Sequence, residues 1–329
     1  MRTLDGDLVA SVGLSAPATL KGGDAAFGAG PRGQGLFLNG QQHLDAGDVG
    51  KFSYFDDFTV SAWIKPEEPL SGGIASRTSD DAYADGWTFQ IEDGHLQVNL
   101  VKRWLDDSIR VETESTVVPG RWQHVAMTYD GSRTAKGIVV TIDGQPQSLV
   151  VHYDFLNQDF ANKEPLRLGS TGSQHPLKGG LADVQIYRRA LSVDDLAILA
   201  VKENVSAIAA LPRSERTSAQ ALKMRAAFLA IGADATLQAA DDRRARAAAN
   251  LQQFFEKSIP TSMVMVDQRD PRQTTVLLRG AYDHPGETVT AGIPAAPFRC
   301  DAKFENRRIS QNERIWVATT SNKSVYAKV

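Results

Sequence analysis

Phe58-Thr59-Val60-Ser61-Ala62-Trp63-Ile64-Lys65-Pro66 alternates apolar with small polar side chains, the period of a β-strand whose two faces meet different surroundings. Two later runs repeat the pattern. One is Gly120-Arg121-Trp122-Gln123-His124-Val125-Ala126-Met127-Thr128-Tyr129-Asp130-Gly131. The other is Gly180-Leu181-Ala182-Asp183-Val184-Gln185-Ile186-Tyr187-Arg188-Arg189-Ala190-Leu191-Ser192. Between them lie shorter alternating stretches, Trp87–Glu92, Leu96–Leu100 and Ile138–Ile142. Asp93-Gly94 and Asp143-Gly144 follow strands and carry the residue types of two-residue hairpin turns. Leu36–Gly40 and Gln42–Asp45 read as a first hairpin. Many short strands at even spacing indicate a sandwich, not alternating strand–helix units.

The pattern changes after Ser192-Val193-Asp194-Asp195, a capping box with Asp in place of Glu, which predicts a short helix to about Lys202. From about Thr217 to Lys257 the chain is rich in Ala, Leu, Arg and Gln, predicting a long helical tract that Gly232 divides. Beyond Ile259, Ser262–Val266 and Thr274–Leu278 read as strands joined through an Asp270-Pro271 turn, and Gly280–Glu287 as a turn-rich loop. The expected organisation is a sandwich over 1–200, a helical spacer over 201–258, the start of a further domain over 259–298, and a tail over 299–329 without an assigned fold.

Bulk properties narrow the function. With 36 Lys+Arg against 39 Asp+Glu the net charge is -3, which offers nothing to attract nucleic acid or an anionic membrane. No apolar run approaches the ~20 residues of a membrane span, and Met1–Leu8 lacks the apolar segment of an export signal. The single cysteine, Cys300, excludes an internal disulfide framework, a cysteine zinc cluster and a Cys-x-x-Cys-His haem attachment within the chain.

The Phe-Thr-Val-Ser-Ala-Trp, Trp-x-His-Val and Asp-Val-x-Ile-Tyr-x-x-Ala-Leu-Ser signals, in this order, resemble the laminin-G-like branch of the concanavalin-A-like jelly rolls. The resemblance implies a mainly β sandwich that binds ligands at its surface and only sometimes catalyses. Leu100–Val111, Ile259–Met265, Pro271-Arg272-x-Thr274 and Leu278-Arg279-Gly280-x-Tyr282-Asp283-x-Pro285-Gly286-Glu287 are similar to segments of large planctomycetal cytochrome-c-associated proteins. In that family such a jelly roll lies between two domains of unknown function. That second resemblance implies an extracytoplasmic or periplasmic surface and a haem domain elsewhere in a longer protein, of which this chain would be a fragment or an altered-frame product.

Ligand contact is expected at Arg103, Trp104, Asp106 and Asp107, because Trp104 is an aromatic set in a polar connection. Flat rings are natural platforms for sugars, and a glycan or another surface polymer is the expected partner. Trp63, Trp87 and Trp122 lie within strands and are expected in the core. Calcium is a possible ligand of the acidic loop holding Asp80, Asp81 and Asp85, although the loop has no EF-hand spacing. Glu112 and Glu114 would share one face of a strand, but no third carboxylate follows in the jelly-roll glucanase spacing Glu-x-Asp-x-x-Glu. No catalytic residue is therefore assigned, and a glucanase is the third reading, behind a binding module and a ligand-free structural module. His124 is expected to be a hydrogen-bonded structural histidine.

Overall fold

The structure, a computed structural model, describes residues 18–80, 84–258, 274–278, 284–289, 315–320 and 323–328. The early strands are β1 (Thr19–Lys21), β2 (Ala26–Gly30), β3 (Gly33–Asn39), β4 (His43–Asp45), β5 (Phe58–Pro66) and β6 (Gly72–Thr78). Next come β7 (Gly86–Glu92), β8 (His95–Arg103), β9 (Asp107–Thr116), β10 (Gln123–Tyr129), β11 (Ile138–Ile142), β12 (Gln145–Pro146) and β13 (Leu149–Phe155). Then β14 (Arg167–Leu168), β15 (Ser170–Thr171), β16 (His175–Pro176) and β17 (Lys178–Tyr187) complete the set. They form an eight-stranded sheet in the order β1-β4-β14-β6-β7-β8-β9-β13 and a seven-stranded sheet in the order β12-β11-β10-β5-β17-β3-β2, with β15 and β16 as a small separate pair.

Alternation decides which side chains fill the space between the sheets. Phe58, Val60, Ala62 and Ile64 of β5 face Val98, Leu100, Ile109 and Val111 of the other sheet in one core. Phe52 stacks on Phe58 at 4.1 Å, and Trp87 joins them, donating its indole N–H to the Gly50 carbonyl at 2.9 Å. Burying a large apolar side chain contributes roughly 1.5–3 kcal/mol, so this inward row is the main stabilising feature of the sandwich. Asp93-Gly94 and Asp143-Gly144 form the expected tight turns, all four residues at positive φ.

Trp122 differs from expectation, and Trp63 is buried as expected but outside the space between the sheets. Both point away from the core, because their neighbours in the alternation, Ile64 and Val125, take the inward positions. Trp122 lies half-buried in a groove across Gly35 and Gly180. A Cβ on either glycine would come within 2.9 and 2.6 Å of the ring. Trp63 is buried all the same, since a helical cover roofs that face.

The cover begins with α1 (Val193–Leu199), closed by the reciprocal Ser192–Asp195 capping box. Its Leu196, with Leu191, packs on Ala126 of β10. Then come α2 (Val205–Ala210), capped by Asn204, and α3 (Ser218–Ala227), opened by a Thr217–Gln220 capping box. A π-turn over Phe228–Gly232 separates α3 from α4 (Ala235–Ser258), the break expected at Gly232. Arg32 ties the cover to the sheet, donating to the carbonyls of Leu199 and Val201 at 2.7 and 2.6 Å while pairing with Asp183 at 2.7 Å. Lys223 of α3 donates to the Val201 and Glu203 carbonyls.

The chain divides into two compact units, Met1–Gln252 and Gln253–Val329. In the second, Thr274–Leu277 is a strand as expected. Its partner is Pro285–Val289, which begins within the Gly280–Glu287 stretch expected to be loop. Pro285 opens that strand, where its missing N–H breaks no ladder bond. Ile315–Thr320 and Lys323–Lys328 pair antiparallel where no fold was assigned, because the β-branched and aromatic residues outweigh the scattered charge. Ser262–Val266, the Asp270-Pro271 turn and Cys300 lie outside the described residues. Among the described residues no helix is long and apolar enough to cross a membrane.

Candidate functional site

The outer face of the eight-stranded sheet is built by the residues that alternate with the core. On β9, Ile109 and Val111 point inward, so Ser108, Arg110 and Glu112 point outward. Cross-strand register carries that face sideways: Arg110 lies opposite Asn99 of β8, Asn99 opposite Thr88 of β7, and Thr88 opposite Ser76 of β6. A second row runs Glu112, Gln97, Gln90. The rows are joined by hydrogen bonds. Asn99 donates to the Thr88 hydroxyl at 3.0 Å, Gln97 to Glu112 at 2.6 Å, and the Thr171 hydroxyl to Gln90 at 3.0 Å. Ser76, Thr88 and Asn99 are buried, Ser76 bonded to Ser170 and Gly172, so the accessible polar track is the half-exposed row Glu112, Gln97, Gln90, held in fixed orientation.

An aromatic end closes the track. Strand β13 places Tyr153 opposite Arg110 and Phe155 opposite Ser108, so both rings share the outer face. The register shifts between Val151 and Tyr153, a bulge that re-aims the strand there. Trp104 sits in the β8–β9 turn, whose Trp104 carbonyl accepts from the Ser108 hydroxyl at 3.4 Å. The Arg110 guanidinium lies between two rings, 4.5 Å from the Trp104 centroid and 5.2 Å from that of Tyr153. Tyr153 meets Phe155 edge-on at 5.5 Å. Trp104 is 37% exposed and Phe155 60%.

The four expected contact residues separate into different roles. Trp104 is at the surface. Arg103 bonds Asp106 at 2.7 Å, a contact that pushes the guanidinium pKa further up. Asp107 is buried and accepts from the backbone N–H groups of Asn157 and Gln158 at 2.7 and 3.3 Å, with Arg103 3.7 Å away. Its carboxylate anchors the loop after β13 and is turned away from solvent. Arg110, Tyr153 and Phe155 were not expected. The alternate aromatics Tyr153 and Phe155 in a short β-branched run were the available signal.

In the acidic loop, Asp80 accepts from the Ser173 backbone N–H and hydroxyl at 2.7 and 2.8 Å, and Asp85 faces Lys102 at 3.3 Å. Asp81 lies outside the described residues. Calcium needs roughly six to eight oxygens. The two described carboxylates are already engaged, and among the described residues no group of three or more His, Cys, Asp or Glu could hold a metal. Glu112, bound by Gln97, is also 3.6 Å from His152.

On the opposite sheet, the outward residues Thr59, Ser61, Trp63, His124 and Thr128 are buried under the helices. His124 lies edge-on to Trp63, its Nδ1 without a hydrogen-bond partner among the described residues, not hydrogen-bonded there as expected. Burial, then the Arg32 charge, pulls its pKa down to about 3, so the ring is neutral.

The fold is therefore a concanavalin-A-like β-sandwich with one outer face under helices and the other half-exposed along Glu112, Gln97 and Gln90. Residues 38–197 match the family model described as the concanavalin A-like lectin/glucanases superfamily. Among solved structures, domain 4 of AbnA, a GH43 extracellular arabinanase from Geobacillus stearothermophilus in complex with arabinotriose, aligns at 22% identity and a TM-score of 0.43, covering 60% of this chain and 96% of that one. The CBM40 of the Ruminococcus gnavus IT-sialidase, bound to alpha2,3 sialyllactose, aligns at 14% identity and 0.42, covering 51% and 96%. A heptameric SAP-like pentraxin from Limulus polyphemus aligns at 17% identity and 0.40, covering 53% and 84%. Comparison with curated proteins gives no match.

Proposed function

We propose that the sandwich is a non-catalytic binding module for carbohydrate or another surface polymer, within a larger extracytoplasmic protein. One observation carries this reading. Exposed rings, Trp104 and Phe155, stand beside a half-exposed row of pre-oriented polar groups, Glu112, Gln97 and Gln90, on the outer face of the eight-stranded sheet. Flat rings give apolar contact area to a sugar ring, and a few fixed polar groups give orientation. Glu112 argues against the glucanase reading, since Gln97 holds its carboxylate and no third carboxylate continues the row. The second resemblance would add a haem domain as a neighbour in the parent protein, and the alternative role, a ligand-free module holding such neighbours, remains the competitor.

The test is binding to a broad glycan panel, with calcium and then with chelator, using the wild-type chain and Trp104→Ala. Binding weakened at least about tenfold by the substitution, with the fold intact, supports the reading. Loss on chelation would move the site to Asp80 and Asp85. Binding to no polymer by folded protein would leave the structural-module reading in its place.

A further inference from the structure

Arg110 stands apart from the cations that pair with carboxylates, as does Arg133, which lies over Tyr54 and Phe55 without an ion pair among the described residues but away from the polar row. Arg32, Arg77, Lys102, Arg103, Arg121 and Arg167 each pair with a carboxylate at 3.3 Å or less. Arg110 has no ion pair among the described residues. No hydrogen bond from its side chain reaches an acceptor there either. Two acids close to it in sequence are taken: Glu112, two residues along the same face, by Gln97 at 2.6 Å, and Asp106 by Arg103 at 2.7 Å. Its Nε is enclosed without an acceptor, while neither terminal nitrogen is enclosed in that way.

The rings on either side explain how an unpaired cation stays ordered. Trp104 and Tyr153 attract the guanidinium through their faces and fix its plane. A free surface arginine loses rotamer freedom when it binds, but here most of that loss has already occurred on folding. What the stack leaves open is a fork of N–H groups beside the polar track. A planar fork fits an oxyanion, which accepts two parallel hydrogen bonds.

We propose that the polymer bound on this face is an acidic polysaccharide, and that a carboxylate or sulfate of that polymer is met by the terminal nitrogens of Arg110. This rests on the binding reading above and adds the ligand's charge to it. The net charge of -3 does not oppose the assignment, because the requirement is local: Asp106 is paired with Arg103, and the Glu112 carboxylate is held by the Gln97 amide. The sugar rings would lie against Trp104 and Phe155, and the anionic group would point between them.

The experiment uses the full chain and four probes at matched monomer concentration: polygalacturonate for carboxylate, dextran sulfate for sulfate, and dextran and galactan as neutral counterparts. Wild type, Arg110→Gln, Arg110→Lys and Trp104→Ala are compared at low and high salt, with thermal melts to establish folding. The expected result is that an acidic probe binds in preference to both neutral ones. Arg110→Gln should weaken that binding about tenfold or more, and Arg110→Lys should recover part of it. High salt should weaken the acidic interaction. Preference for polygalacturonate alone assigns a carboxylate, and for dextran sulfate alone a sulfate. Equal binding of acidic and neutral probes, or acidic binding untouched by Arg110→Gln in a folded variant, overturns the assignment. If Trp104→Ala still weakens binding in that case, the carbohydrate reading survives it. Failure of every probe with folded wild type overturns both.

Discussion

His124 should make the sandwich acid-sensitive by a predictable amount. Its ring is buried against Trp63, and burial together with the Arg32 charge lowers its pKa from the ordinary 6.5 to about 3. Between those values the unfolded chain takes up a proton that the folded chain refuses, so acid favours unfolding. Stability is complete above pH 6.5 and declines as pH falls toward 3. One pH unit is worth about 1.4 kcal/mol, so at about pH 5 the loss from this group is about 2 kcal/mol. That is a large share of the roughly 5–15 kcal/mol that holds a domain together. Urea unfolding, followed by tryptophan fluorescence at about pH 7.5 and about pH 5, measures it in wild type and His124→Gln. The variant should be less stable at the higher pH but lose about 2 kcal/mol less on acidification. Taking the difference between the two proteins cancels the surface carboxylates. It also cancels His43, whose pKa is lowered first by burial and then by Arg167. An equal acid loss in both proteins would refute the argument, because it would mean that His124 is protonated in the folded state.

The remaining predictions separate holding contacts from exposed ones. Arg32→Met removes the donor to Leu199 and Val201 and leaves Asp183 short of its partner. It should cost roughly 2–3 kcal/mol and open the stretch around 199–205 to limited proteolysis. An unchanged digestion pattern would mean that Leu191 and Leu196 hold the cover unaided. Asp107→Ala should cost about 2–3 kcal/mol by freeing two backbone N–H groups, while Asp106→Ala, at an exposed carboxylate, should stay within about 0.5 kcal/mol. Thermal melts of the two variants side by side decide it, and equal effects would contradict the anchoring role of Asp107.

The sequence displayed the strands plainly but not what lay over them. Phe58–Pro66 alternates as a strand with one polar face should, yet Thr59, Ser61 and Trp63 are buried. Nothing local to β5 reports that α1, far along the chain, roofs that face. Period-2 alternation says that two faces differ, not which is wet. The same limit misplaced Trp122, whose groove exists because Gly35 and Gly180 come together from distant strands. Turns and caps were legible because they are local chemistry: Asp93-Gly94, Asp143-Gly144 and Ser192–Asp195 each carry their geometry in two to four residues. The candidate site was half legible. Trp104 announces itself as an aromatic in a polar turn, whereas Arg110 and Tyr153 become neighbours only through the pairing of β9 with β13. Asp107 misled because a buried anchor and an exposed ligand are the same residue type in a sequence.

The unequal fates of the two outer faces bear on where a ligand can bind. The seven-stranded sheet turns His124, Trp63 and several hydroxyls outward, a set that would pass for a binding face if it were open. Leu191 and, from α1, Leu196 pack over it, and α3 packs on α1. Arg32 and Lys223 both donate to the carbonyl of Val201, just beyond α1. A ligand there would have to displace charged hydrogen bonds as well as Leu191 and Leu196. The eight-stranded sheet has the reverse arrangement. Its row Glu112, Gln97 and Gln90 is half-exposed and its aromatic end exposed, so a ligand there would meet a formed surface. The face of Arg110 is therefore the one on which the proposed binding would take place, with the helical cover as the back of the sandwich.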